Sequence, residues 1–232
     1  MKLAFISDIH SNFDALKAVM IDIKKNKVEK IFCLGDIINY YYEPHKCIDL
    51  LIRNNVKCIK GNHENIFFET LKSKKKAKKF STIYGNSIFM NFKLLKKKHF
   101  LFLRSLKSQL KFSINKEKFF LTHASPWNIN FYFYPNVKKK WFKKLANYNY
   151  KYFVLGHTHI SMIKKLEKNK VLINPGSVGQ PRNNSMGAQW LIFDTNTKKI
   201  TLKKTSYPLK KIKKQISKYD SNNIRLLKYF KK

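Results

Sequence analysis

The sequence predicts an α/β fold built around two sheets, and three observations carry that expectation. Over the first sixty residues, short apolar runs of strand length alternate with amphipathic stretches of helix length. This βαβαβ order implies a parallel sheet with helices outside it. Beyond residue 160 the period changes to short strands separated by turn residues, which suggests hairpin pairing in a second sheet. Hydrophobic residues make up 44% of the 232 positions, enough for one compact domain with a substantial interior.

Taken in order, residues 3–6 read as a buried strand. The helix that follows is capped by Ser11 or Asn12 and places Leu16, Val19, Met20 and Ile23 at i, i+3, i+4 and i+7. Residues 30–34 form the next strand, ending at Gly35-Asp36. Pro44 suits the first turn of a helix expected to bury Ile48, Leu51 and Ile52. Residues 56–59 make a third strand, ending at Gly61-Asn62-His63. The Lys-rich stretch 64–110 reads as mostly helical and free of chemistry. A strand over 119–121 ends at Thr122-His123, a helix covers 138–147, and a strand over 152–155 ends at Gly156-His157-Thr158-His159. Short strands at 161–164, 171–173, 189–193 and 200–206 supply the second sheet. Residues 1–207 form the domain, and 208–232 a basic helical tail whose Leu209, Ile212, Ile216 and Tyr219 face packs on it.

The formal charge of +36 suggests a polyanion partner, but its composition points elsewhere. Only four of the 49 basic residues are Arg, while Asn numbers 22. Lys, Asn, Ile, Phe and Tyr share A/T-rich codons, so base composition could produce the whole bias, against the alternative of a polyanion-binding surface. A dedicated nucleic-acid binder enriches Arg for bidentate recognition. Nucleic acid is therefore not the favoured partner, although a field of this sign still attracts anions. The three cysteines include no CxxC pair, which suits a reducing compartment. No apolar run approaches the roughly 20 residues of a bilayer span and no leader is evident, so a cytoplasmic protein without a membrane partner is expected.

Five strand ends carry potential ligands: Asp8 and His10, Asp36, Asn62 and His63, His123, and His157 and His159. Sites in α/β sheets form at the carboxyl ends of strands, and parallel neighbours would bring these ends together. Asp8 and His10 are two apart in an extended segment, which lets both side chains point one way, and the same holds for His157 and His159. A lone histidine is more often structural than functional, but five of the seven here fall at strand ends beside Gly, Asp or Asn. Imidazole with carboxylate favours a divalent transition metal over Ca or Mg. Two Asp, four His and one Asn are too many donors for one ion. Two ions about 3.5–4 Å apart, sharing a carboxylate, fit better. Gly35, Gly61 and Gly156 precede the ligands and allow the backbone to come close.

These blocks, in this order over residues 1–182, resemble the calcineurin-like metallophosphoesterase superfamily. Ser7-Asp8-Ile9-His10-Ser11-Asn12, residues 122–127 and residues 174–182 make the chain most similar to its small bacterial phosphodiesterase branch. The resemblance implies a four-layer α/β/β/α sandwich of two mixed sheets with the site at one edge. It implies that Asp8, His10 and His159 hold one metal, that Asn62, His123 and His157 hold the other, and that Asp36 bridges them. The metals would be two divalent ions, Mn²⁺ first, with Fe, Zn, Co or Ni as alternatives. A metal-bridging hydroxide would attack the phosphorus of a small phosphorylated substrate, a nucleotide among the candidates, with His63 protonating or hydrogen-bonding the leaving oxygen in a general-acid role. Glu64 would orient His63 or stabilise its loop. Arg182, retained as Arg among so many Lys, suggests a planar phosphate contact. The sequence departs from the family's protein phosphatases, which carry Arg-Gly after Gly-Asp, and from its own branch, which often has Gly-Tyr-Gly where this chain has Asn39-Tyr40-Tyr41. The three tyrosines 40–42 are placed either to stack on a base or to pack under the next helix. Two other readings are a nuclease using the Lys surface and a non-catalytic scaffold keeping the fold.

Overall fold

The computed structural model describes residues 1–183 and 186–229. Two five-stranded mixed sheets lie face to face between helical layers. The first has the order β10-β9-β1-β2-β3, with β1 (Lys2–Ile6), β2 (Lys30–Cys33), β3 (Lys57–Cys58), β9 (Ala188–Asp194) and β10 (Ile200–Thr205). The second has the order β4-β5-β6-β8-β7, with β4 (Gln109–Ile114), β5 (Glu117–Thr122), β6 (Tyr152–Val154), β7 (Met162–Lys165) and β8 (Val171–Asn174).

Side-chain alternation explains the layering. Leu3 and Phe5 of β1 point between the sheets, where they meet Phe119 and Leu121 of β5 and Val154 of β6. Ala4 and Ile6 point the other way, onto α1 (Phe13–Lys25) and α2 (Pro44–Arg53). Phe120 and Phe153 face outward from the second sheet onto α7 (Lys139–Ala146). The central strands β1, β5 and β6 are thus buried on both faces.

Several expectations need correction. Residues 189–193 and 200–206 were expected in the second sheet. They extend the first instead, because β9 pairs antiparallel with β1, Leu3 opposite Phe193. Only β7 and β8 make the expected hairpin in the second sheet, where β8 continues into β6, β5 and β4. The strand β4 was not foreseen. Its half-buried residues pair with β5 through the turn at Asn115-Lys116, both left-handed. Ile52 is 43% exposed rather than buried. The buried stripe of α2 runs through Cys47, Ile48 and Leu51, and a step of 100° past Leu51 carries Ile52 off it.

The stretch 64–110 is helical as expected: α3 (Asn62–Leu71), α4 (Lys74–Tyr84), α5 (Ser87–Leu94) and α6 (Lys97–Ser105). The C-terminal α8 (Lys210–Tyr219) and α9 (Ile224–Lys228) lie over Tyr41 and Tyr42, with Ile212 and Ile216 buried against them. Residues 230–232 of the expected tail lie outside the described residues. Tyr42 donates to Asp220 at 2.7 Å, and Asp220 also accepts from Asn86, which ties the tail to α5. Truncating Ile216, fully buried, to Ala is expected to cost about 2–4 kcal/mol, read as a lowered denaturation midpoint with unchanged slope. No helix among the described residues is long and apolar enough to cross a membrane.

Candidate metal centre

The parallel strands β1, β2 and β3 of one sheet and β5 and β6 of the other open at the same edge, and their C-terminal loops converge. The five ligand-bearing ends therefore come from two facing sheets, not from one. The donor atoms of Asp8, His10, Asp36 and His159 lie within 4.8 Å of one another, and so do those of Asp36, His123 and His157. Asp36 belongs to both groups. All are buried.

The segments are not extended, so the alternation argument for Asp8 with His10, and for His157 with His159, does not hold. Asp8, His10, Asp36, His157 and His159 all have φ between 51° and 67°. Such left-handed turns cost of order 1–3 kcal/mol each and persist only where the surroundings impose them. Here backbone hydrogen bonds impose them: Asp8 N–H donates to Gly35 O, His10 N–H to Asp36 O and Gly179 N–H to Asp8 O. Close approach does the rest. A Cβ on Gly61 would stand 2.2 Å from Asp36 Oδ1, and one on Gly156 2.0 Å from Ser7 Oγ.

Each aspartate has one oxygen pinned and one free to face the cluster. Asp8 Oδ2 accepts from His157 N–H at 3.1 Å, while Oδ1 has no hydrogen-bond partner. Asp36 Oδ1 accepts from His63 N–H at 2.8 Å, while Oδ2 lies 3.3 Å from His123 Nε2 and 3.8 Å from His10 Nε2.

The histidines are oriented the same way. His10 Nδ1 meets Ile38 O at 3.2 Å, His123 Nδ1 meets Leu34 O at 2.7 Å, and His159 Nδ1 meets Gln180 O at 2.7 Å. A carbonyl only accepts, so each Nδ1 carries the proton and each Nε2 presents a lone pair to the cluster. His10 Nε2 then faces His159 Nε2 at 3.1 Å, and His123 Nε2 faces Asn62 Oδ1 at 2.9 Å. These are contacts of acceptor with acceptor, and they repel unless positive charge lies among them. His157 Nε2 is buried without a partner. Convergent acceptors of this kind fit two cations.

The protein groups among themselves show the same conflict. Burial, with Asp36 nearby, pushes the Asp8 carboxyl up to about 7 despite the opposing pull of His123. Burial also works against an ionised Asp36, but His123, His63 and His10 outweigh it and hold that carboxyl well below its usual range. Burial drives His10 and His159 well down and His157 to about 3, which keeps them neutral ligands. His123 is raised to about 9 because Asp36 overrides its burial. Either that proton or a cation must sit between them.

The sequence pattern of the calcineurin-like phosphoesterase superfamily domain matches residues 1–198. The chain belongs to this superfamily. An uncharacterized protein of Methanocaldococcus jannaschii, MJ0912, is 35% identical over 235 residues, covering 93% of this chain and 92% of that one. Among solved structures, a metallophosphoesterase from Sphaerobacter thermophilus superposes with a TM-score of 0.78 at 22% identity, covering 98% and 97% of the two chains. A novel archaeal phosphodiesterase superposes with a TM-score of 0.52 at 19% identity, covering 88% and 99%. At these identities the structural likeness speaks for the fold.

In this phosphoesterase domain, His63 stands apart from both donor groups. Its Nε2 lies 4.0 Å from Asp36 Oδ2. The Asn39 amide nitrogen donates both to His63 O and to His63 Nδ1, each at 3.1 Å. The carbonyl fixes which end of the amide is nitrogen, so Nδ1 accepts and Nε2 carries the proton towards the cluster. Asn91 of α5 donates in turn to Asn39 Oδ1. Of the two roles expected of Glu64, its hydrogen bonds match the second. Its carboxylate accepts from the N–H groups of Gly61 at 2.7 Å, Asp36 at 3.0 Å and Ile37 at 2.8 Å, so it holds the loop. Burial, with Asp36 nearby, pushes this carboxyl up to about 7. Removing it in Glu64→Ala strands those buried amides and is expected to destabilise the fold by about 3 kcal/mol or more, measurable by thermal or denaturant unfolding.

The stretch 64–110 does carry site residues after all. Besides Asn91, Tyr84 at the end of α4 packs on His63 at 4.7 Å between ring centroids. The three tyrosines divide. Tyr40 lies against His10 and His63 at the site, while Tyr41 and Tyr42 are buried beneath α8. Arg182 donates to Gln180 Oε1 at 2.8 Å and to Tyr40 Oη at 3.4 Å, and no carboxylate among the described residues forms a salt bridge with it.

Proposed function

We propose that this protein is a metal-dependent phosphodiesterase acting on a small phosphorylated substrate. The observation that carries the reading is the convergence of lone pairs on two positions joined by Asp36, with the His63 Nε2–H turned towards them. Asp8, His10 and His159 would hold one ion and Asn62, His123 and His157 the other, with Asp36 shared. Mn²⁺ is the first candidate, Fe, Zn, Co and Ni being compatible with the same imidazole and carboxylate donors. Bound there, two such ions would supply Lewis-acid neutralisation of the phosphoryl group and acidify a water for attack at neutral pH.

The chain's own residues supply the rest. His63, held neutral by a burial that drives its pKa to about 4, keeps its proton and donates an Nε2–H hydrogen bond to the negative charge that develops on the departing ester oxygen. Arg182 keeps a guanidinium without a carboxylate partner near the cluster, suited to a phosphate oxygen. The diester preference rests on the branch resemblance and on the archaeal phosphodiesterase among the structural neighbours. Three free cysteines, two of them buried, agree with a cytoplasmic setting.

The test is reconstitution with Mn²⁺ and an assay on methyl p-nitrophenyl phosphate. Turnover well above that of an Asp36→Asn control is expected. Turnover no higher than that control would instead favour a scaffold that kept the fold.

A further inference from the structure

Between β5 and α7 the chain runs through Phe131-Tyr132-Phe133-Tyr134 without regular secondary structure. Its side chains nevertheless alternate. Phe133 is buried, and Phe131 packs with it in the aromatic cluster of Trp127, Trp141 and Phe142 beneath the second sheet. Tyr132 and Tyr134 turn outward, 42% and 38% exposed, although each is a large ring that usually finds cover. They stack on one another at 5.4 Å with only 8° between their planes. Tyr132 also lies on the His157 ring at 4.1 Å. A column of rings therefore runs outward from the candidate metal centre, and its inner side is anchored by two phenylalanines. Tyr84 and Arg182 lie close enough to Tyr132 to interact with it electrostatically.

We propose that Tyr132 and Tyr134 form a stacking platform that selects phosphodiesters carrying a nucleobase on one ester arm. The proposal rests on the phosphodiesterase reading above, because that reading fixes where the phosphate sits. A phosphate bound at the metal positions beside Asp36 and His157, with Arg182 on one of its oxygens, would direct one ester arm along the tyrosine column. The column offers flat π surface and, apart from its hydroxyls, no hydrogen-bonding groups. Such a surface favours a planar ring over an alkyl or sugar chain, and base stacking on aromatic side chains tolerates any base. The surplus of positive charge attracts the anionic nucleotide and does not discriminate between bases.

Two substrates with the same leaving group isolate the retained nucleoside arm. Thymidine 5′-(p-nitrophenyl) phosphate and methyl p-nitrophenyl phosphate differ only in the arm that stays on phosphorus. With the Mn²⁺-loaded protein, kcat/KM is expected to favour the thymidine ester by about tenfold or more, chiefly through KM. That preference should largely disappear in Tyr134→Ala and persist in Tyr134→Phe. Tyr134 is the variant of choice because Tyr132 touches His157 and its loss could disturb a metal ligand. Binding supplies a readout independent of turnover. In Mn²⁺-loaded His63→Ala protein, calorimetry should show thymidine 5′-monophosphate binding about tenfold more tightly than ribose 5-phosphate. Hydrolysis of the methyl ester without preference for the thymidine ester overturns the platform and leaves the phosphodiesterase standing. Failure to cleave either ester overturns the phosphodiesterase, and equal binding of the two monophosphates then overturns the platform as well.

Discussion

Asp36→Asn is expected to remove metal from both positions and to lower turnover by about a thousandfold or more. The estimate follows from several kcal/mol of transition-state charge stabilisation supplied by bound metals, each ~1.4 kcal/mol being a factor of ten. Asp36 is the one side chain whose donor atoms belong to both ligand groups. It is also the carboxylate that His123, His63 and His10 hold ionised against its burial. Asparagine preserves shape and still offers Oδ1 to His63 N–H, so the loop has no reason to collapse. The replacement amide would face His123 Nε2 as a donor, where Asp36 Oδ2 now stands at 3.3 Å. In the metal-free protein the ionised Asp36 pairs with a protonated His123, so the metal-free variant should melt lower than metal-free wild type at neutral pH. Metal content by mass spectrometry, turnover and a melting curve read the three consequences. Two ions per chain with wild-type turnover would exclude the shared role.

The parts of this site that were legible in the sequence are those where residue type and strand ending coincide. Asp8, Asp36, His123 and His157 each follow an apolar run, and strand ends are where open sheets gather their ligands. The two-residue spacings of Asp8 with His10 and of His157 with His159 pointed to the cluster, but the backbone between them is not extended, and His157 and His159 fall in different donor groups. Aspartate and histidine tolerate left-handed backbone without any glycine to mark it, so the turns at φ 51° to 67° leave no trace in the pattern. The groups that orient the ligands were invisible for another reason. Ile38, Leu34 and Gln180 act through their main-chain carbonyls, which any residue offers. Asn39 and Asn91 act through side chains, but in a chain with 22 asparagines neither stands out.

The same division applies to the fold. The apolar run of β1 marked a buried strand, because that signal is local. The partner of β1 on its second edge is β9, nearly two hundred residues away. Nothing in the spacing of residues 189–193 distinguishes a strand that closes a hairpin from one that returns to the first sheet. That choice is made by packing, with Leu191 and Phe193 filling the space between the sheets beside Leu3 and Phe5.

Replacing His63 and replacing His123 should separate catalysis from metal binding. Both are buried imidazoles near Asp36, yet their nitrogens are committed differently. His123 gives its Nδ1 proton to Leu34 O and turns a lone pair towards Asp36 and Asn62. His63 accepts at Nδ1 from Asn39 and turns a proton inward. A ligand needs the first arrangement and a hydrogen-bond donor the second. His123→Ala should therefore empty one of the two positions and lose turnover with it. His63→Ala should keep both ions and lower kcat by about 10²–10³-fold, the usual range for a positioned hydrogen-bond donor to developing charge, with a smaller change in KM. The rings of Tyr40 and Tyr84, which pack on His63 at 5.0 and 4.7 Å, remain to keep the pocket closed around a smaller residue. Metal content and steady-state kinetics on the same preparations decide the matter, and equal metal loss in the two variants would make His63 a ligand instead.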